Sequence, residues 1–312
     1  MLKRLSSWQY IGPVSIVFAA FLWSLDALLR QSLYSLPSMV IVFSEHALGF
    51  IITLPWLIRY WPKIKALDNR TWISIGWIAI FGGLLGTLAY TSALGYIHYI
   101  HFSVVVLLQK LQPIFAILLA RVILKERLHR RFYLWALMAL AGSYFVAFPN
   151  ITPTLVDGGK NVLAGLLAVA AAFAWGSSTV MGKYSLRNLD TRIITPLRLG
   201  LTAIVSGFYL LLFGGYVAFP DITGDQALFL LAIVLSSGTV ALSIYYFGLK
   251  KVPASKATIF EMFWPISAVI IDWVFFDHAL TWSQLFGAGL MLFSIYQVSQ
   301  RRDSIMETTI DI

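Results

Sequence analysis

The 312-residue chain contains no cysteine. Disulfides, iron–sulfur clusters and thiolate metal sites are therefore excluded. Charge is scarce too: Asp, Glu, Lys and Arg make up 12% of the residues, against about 25% in a typical soluble domain. The five histidines, His46, His98, His101, His129 and His278, are scattered without HExxH spacing, and no Walker loop or GxSxG elbow is present. Covalent and metal catalysis have little to work with, and no cofactor is expected.

What is present is apolar. Hydrophobic residues make up 59% and aromatics 15% of the chain, more than a soluble fold of this size can hide from water. A bilayer core needs roughly 20 apolar residues per helix. On that criterion ten spans fall near 10–30, 38–58, 72–95, 102–124, 132–149, 162–183, 193–214, 226–247, 254–276 and 284–300. Breakers such as Pro37, Pro62, Pro153, Pro220 and Pro253 sit in the connectors. The first span contains Asp26, is longer than a signal-peptide core and lacks a small-residue cleavage site, so it is expected to be retained.

The formal charge of +9 does not indicate nucleic acid, because the basic residues lie in alternate loops. One set of loops holds eighteen of the 23 Lys and Arg residues, including Lys3, Arg59, Lys125, Arg187, Lys250 and Arg302. The other set holds only Arg30 and Lys160, while Lys110, Arg121 and Arg198 fall within spans. The positive-inside bias then puts both termini in the cytoplasm of a multi-pass inner-membrane protein.

The two halves match at an offset of 152 residues. Trp23 meets Trp175, Gly86-Thr87-x-Ala89 meets Gly238-Thr239-x-Ala241, and Pro113-Ile114-x-Ala116 meets Pro265-Ile266-x-Ala268. Single identities between apolar segments arise by chance; two patterned matches at one offset do not. Five spans per half make the halves inverted copies, an arrangement suited to alternating access. The expected organisation is a first five-helix repeat over 1–149, an external linker at 150–161, a second repeat over 162–300 and a cytoplasmic tail at 301–312.

In these features the chain resembles the drug/metabolite transporter superfamily, in particular its tandem EamA-type members. The likeness rests on Gln109-Lys110-Leu111-Gln112-Pro113-Ile114-Phe115-Ala116 running to Glu126-Arg127-Leu128, repeated as Phe263-Trp264-Pro265-Ile266-Ser267-Ala268 running to Leu280. One departure is His278, which stands where the first half carries Glu126. The resemblance implies a transporter of amino-acid-like or amine metabolites, with export in exchange for protons as the family default. An importer of a cationic or zwitterionic nutrient is the alternative. A membrane enzyme would require a His and Asp/Glu cluster at one surface, and a channel a uniform polar lining. The expected partners are a small-molecule solute, the bilayer and protons, with the protein acting as a monomer or homodimer.

An ionisable group inside a bilayer costs roughly 2.5–3.5 kcal/mol, so each such residue is a candidate. Asp26, Glu45, His46, Lys110, Arg198, Glu261 and Asp272 lie away from span ends, and all but Glu261 are taken as coupling or gating residues. Asp26 either bonds Arg30 one turn on or binds a proton or cationic group beside Trp23. Lys110 is a candidate partner for Glu45 or Asp26, and Arg198 for Glu261; such pairs suit structure and gating equally. Four deep acids against two deep bases leave surplus negative charge, which suits proton exchange or an ammonium-bearing solute. Glu261, Trp264, Ala268 and Asp272 form one stripe, matched by Gln109, Gln112, Ala116 and Ala120 in the first half. Pro113 and Pro265 kink the helices bearing these stripes and suit a cavity wall. The expected binding residues are Trp23, Trp175, Gln109, Gln112, Glu261 and Trp264; packing alone is the competing account of the tryptophans.

Overall fold

The computed structural model describes residues 10–33, 35–94, 105, 108–148, 159–214, 222–276 and 280–300. The linker at 150–161 falls largely outside them, and the tail at 301–312 wholly so. The described residues are almost entirely helical. The first half comprises α1 (Ile11–Arg30), α2 (Ser38–Arg59), the short α3 (Trp61–Lys65), α4 (Asn69–Trp77), α5 (Gly86–Leu94), α6 (Gln112–Ile123) and α7 (Arg130–Ala147). The second comprises α8 (Gly159–Ser185), α9 (Thr191–Phe213), α10 (Gly224–Ile233), α11 (Thr239–Lys251), α12 (Ala254–Glu261), α13 (Phe263–Phe276) and α14 (Trp282–Gln300).

Seven of these stretches are long and apolar enough to cross a membrane: Ile11–Arg30, Ser38–Arg59, Asn69–Ala93, Val162–Ser185, Thr191–Phe213, Gly224–Lys251 and Ala254–Ile271. They coincide with seven of the ten expected spans. Of the rest, α6 covers the end of the expected 102–124 span, most of whose start lies outside the described residues. Helices α7 and α14 occupy the expected fifth and tenth positions. Large apolar side chains such as Ile51, Ile58, Leu118, Val122, Phe208 and Leu212 point outward. A belt of that kind belongs against lipid rather than water.

The helix ends follow local chemistry. The Asp68 carboxylate accepts from the Thr71 N–H and opens α4; that bond holds its carboxyl below the usual range. Asp190 caps α9, and Thr223 with Gln226 forms a capping box on α10.

The 152-residue repeat is visible in the backbone. Between α4 and α5 the chain is π-helical over Ile78–Leu85, and between α10 and α11 over Val234–Gly238. Both wide turns precede or reach the matched Gly-Thr-x-Ala patterns. The proline helices are broken at matched places as well. Lys110 and Leu111 form a turn before α6, with Leu111 N–H bonded to Leu108 O at 3.1 Å. Met262 forms a turn between α12 and α13, with its N–H bonded to Ile259 O at 3.2 Å. Each break lies two or three residues before its proline, whose ring removes the amide that would continue the ladder.

The halves interlock rather than sit side by side: α1 packs on α11, α5 and α6 on α8, α2 on α9, and α7 on α14. The last contact is backbone against backbone. A Cβ added to Gly142 would lie 2.7 Å from Gly287 O, and one added to Gly287 only 2.5 Å from Gly142 O. Small residues at such crossings let helices approach where lipid supplies no hydrophobic drive.

Candidate functional site

The two helix breaks meet inside the bundle, and a directed hydrogen-bond chain joins them. Glu261, the last residue of α12, accepts from Gln112 Nε2 at 2.7 Å and from the Tyr245 hydroxyl at 2.7 Å. Gln112 opens α6, and its side-chain oxygen Oε1 accepts from Gln109 Nε2 at 2.9 Å. The Tyr245 proton is committed to the carboxylate, so Thr179, 2.8 Å away on α8, must donate to the Tyr245 oxygen. Because Gln112 presents its NH₂ to a carboxylate, its amide orientation is fixed by chemistry. Gln109 and Glu261 are repeat mates, and they sit at the two ends of this bridge between the halves.

Aromatic rings surround the chain. Trp23 on α1 lies 5.1 Å from the Tyr245 ring, and the Lys110 ammonium stands over the Trp264 ring at 4.2 Å. Trp175, the mate of Trp23, lies 5.4 Å from Tyr90 and donates its indole N–H to Gly82 O in the first π segment. The structure thus brings Gln109, Lys110, Gln112, Glu261 and Trp264 together with Trp23, and places Trp175 across the bundle by α5.

A second group lies at the far end of α1. Arg30 Nε is 2.6 Å from Asp26 Oδ2, and its Nη2 is 2.9 Å from Glu45 Oε1. Ser237, in the second π segment, donates to Asp26 Oδ1 at 2.7 Å. This cluster ties α1, α2 and the second half together. The neighbouring His46 holds Val42 O through Nδ1 at 2.8 Å, which makes Nδ1 the protonated nitrogen.

The expected partners of Lys110 and Arg198 differ from those found. Lys110 faces Trp264, and no ion pair to Glu45 or Asp26 is formed among the described residues. Arg198 donates to the Tyr246 hydroxyl at 2.9 Å rather than to Glu261. Asp26 instead takes Arg30 one turn on, the first of the two accounts its spacing allowed, and Glu45 shares the same guanidinium. The side chain of Asp272 lies outside the described residues.

Three participants carry no sequence signal that would single them out. Tyr245, Tyr246 and Thr179 read as ordinary core residues in apolar runs, and only the fold aims them at Glu261 and Arg198. Glu126 is another. Lys125 adopts a left-handed φ of 56°, and the next residue turns under the start of α12. There the Glu126 carboxylate, buried, accepts from Ala254 N–H at 2.7 Å, Ser255 N–H at 3.1 Å and the Ser255 hydroxyl. Among the described residues no cluster of His, Asp or Glu could hold a metal ion.

A membrane-embedded pair of broken helices, crossing at polar side chains between two like halves, defines a small-molecule transporter. Comparison with known proteins agrees: residues 10–148 and 162–300 each match the EamA-like transporter family, and the chain belongs to that family. It is similar to the riboflavin transporter ImpX of Fusobacterium nucleatum subsp. nucleatum, 36% identical over 291 residues covering 93% of this chain and 97% of that protein. It is also similar to Protein LicB of Haemophilus influenzae, 23% identical over 308 residues, 91% of this chain and 98% of the relative. A solved crystal structure shares the fold with a TM-score of 0.75 at 20% identity, covering 93% of this chain and 96% of the other.

Proposed function

We propose that the protein crosses the inner membrane ten times with both termini in the cytoplasm, and moves a planar, hydrogen-bonding heteroaromatic solute of the flavin kind. The observation that carries this reading is the Gln112–Glu261 hydrogen bond, because it joins the broken helices of opposite halves at one point. A solute that takes over the bonds of Gln109, Gln112 and Glu261 exchanges one bridge between the halves for another. Rocking of one half against the other then exposes it to the opposite side. Trp23, Tyr245 and Trp264 supply flat faces for a fused ring, while the amides and carboxylate supply both donors and acceptors for its edge. The name of the Fusobacterium relative supports the flavin class.

A second reading is favoured by Glu261 itself. A carboxylate at mid-bilayer suits an amino-acid-like or amine solute exported in exchange for protons, with Asp26, Glu45 and Asp272 as further acids. Purified protein in liposomes separates the two. Saturable riboflavin uptake that labelled amino acids and amines do not compete supports the flavin reading. Uptake of amines driven by an imposed pH gradient, without flavin transport, overturns it in favour of the second.

A further inference from the structure

Arg198 is a half-buried cation that no carboxylate neutralises among the described residues. It lies on α9 about two turns in and, among the described residues, donates one hydrogen bond, from Nη1 to the Tyr246 hydroxyl at 2.9 Å. Its Nε is buried without a partner, and no carboxylate pairs with it among the described residues. A guanidinium has five N–H donors in a planar fork. Leaving the buried Nε unanswered inside a bilayer is costly, unless something else answers it during the working cycle.

The repeat shows what is missing from the protein side. At the offset of 152, Arg198 is the mate of His46 and Ser178 the mate of Asp26. In the first half, Asp26 meets its cation, Arg30, beside the second π segment through Ser237. In the second half, Arg198 meets the first π segment at Gly82, where a Cβ would stand 3.3 Å from Arg198 Nη2 and 2.1 Å from Ser178 Oγ. The cation is in place, and the residue beside it is a serine where the sister half carries a carboxylate. Around it stand Ser178 and Tyr246, together with His46, whose Nδ1 is occupied.

Arg198 also sits one residue step from the Glu261 bridge. On α8, Ser178 reaches Gly82 while Thr179 reaches Tyr245; on α11, Tyr245 bonds Glu261 while Tyr246 bonds Arg198. The two ring centroids are 5.7 Å apart. One solute spanning two adjacent tyrosines has Glu261 at one end and the guanidinium at the other.

We propose that Arg198 is a solute-recognition residue, binding an edge with two coplanar acceptors: a carboxylate, or the N–C=O edge of a pyrimidinedione ring such as a flavin carries. Both present two lone-pair atoms in one plane, the pattern a guanidinium fork matches in a bidentate pair. The inference rests on the reading that this bundle interior binds the transported solute, and is separable from the flavin assignment.

The test uses the full chain in detergent, with riboflavin and benzoate as probes and thermal stabilisation and equilibrium binding as readouts. Wild type, Arg198→Gln, Arg198→Lys and Ser178→Asp are compared. Arg198→Gln is expected to weaken binding of the accepted probe at least tenfold, and Arg198→Lys to restore it only in part, because an ammonium is a point charge. Ser178→Asp keeps the guanidinium but pairs it internally, as in the sister half, and is expected to abolish binding while the ligand-free protein melts no lower than wild type. If Arg198→Gln and Ser178→Asp bind the probe as wild type does, the inference is overturned and the flavin reading stands. If wild type ignores riboflavin but binds benzoate through Arg198, the flavin reading fails and the inference holds. If wild type binds neither probe, both fail. Should Arg198→Gln not fold, Ser178→Asp alone decides between these outcomes.

Discussion

The charged side chains Glu261 and Arg30 have different kinds of neighbour, and each makes its own prediction. Glu261 accepts two short bonds, from Tyr245 and Gln112. Removing the Tyr245 hydroxyl strips a donor from a charged acceptor and orphans Thr179, which typically costs about 1.5–3 kcal/mol. Tyr245→Phe should therefore lower unfolding free energy by about that amount in detergent denaturation. Glu261→Gln keeps the shape but loses the charge and one of the two acceptor oxygens, so one of its bonds must reverse or break; it should reduce the initial transport rate at least tenfold in liposomes. A wild-type rate in that variant removes Glu261 from the mechanism. Arg30 holds two carboxylates, so Asp26→Asn and Glu45→Gln singly each leave it one partner. Their combination should destabilise by more than the sum of the singles, because only then is the guanidinium left without a carboxylate. The positions of these charges were legible in the sequence, since any charge in an apolar run is conspicuous. A partner on the same helix was legible too, as Arg30 for Asp26; partners on other helices were not, because they depend on rotation about the helix axis, which periodicity does not fix between helices.

Among the elements, the proline helices were the most legible. Pro113 and Pro265 mark the breaks, and the breaks fall where removal of an amide requires them. The π segments were not legible: Ile78–Leu85 is an apolar run and Val234–Gly238 reads Val-Leu-Ser-Ser-Gly, both without proline, and a wider turn changes the hydrophobic period too little to see. The tie between Glu126 and the start of α12 was half legible, as a repeated loop motif of unstated purpose. It joins the two halves at the face bearing the basic loops, and an N-cap contact of this kind is worth about 1 kcal/mol. Glu126→Ala should loosen that face. A single cysteine placed at Thr258, the next turn of α12, should then react several-fold faster with a thiol reagent applied from that side. Unchanged labelling means that the contact fastens one helix end and does not hold the halves closed.

At the scale of the whole molecule, seven long apolar helices and two family-matched halves establish a membrane transporter. The ten crossings, inferred from the apolar runs, and their orientation, inferred from loop charge, are open to direct measurement because the chain has no cysteine of its own. Asn188→Cys and Gly224→Cys bracket α9 and should label from opposite sides of the membrane, the former only after permeabilisation. Labelling of both from outside would undo the orientation read from lysine and arginine. The matched π segments carry one more consequence, and it concerns history. The offset of 152 holds before them, at Trp23 and Trp175, and after them, at Pro113 and Pro265. An extra residue gained by one copy alone would have shifted that offset partway along the chain. The simplest account is that the widened turn was already present in a single ancestral five-helix unit and was inherited by both descendants when that unit was duplicated.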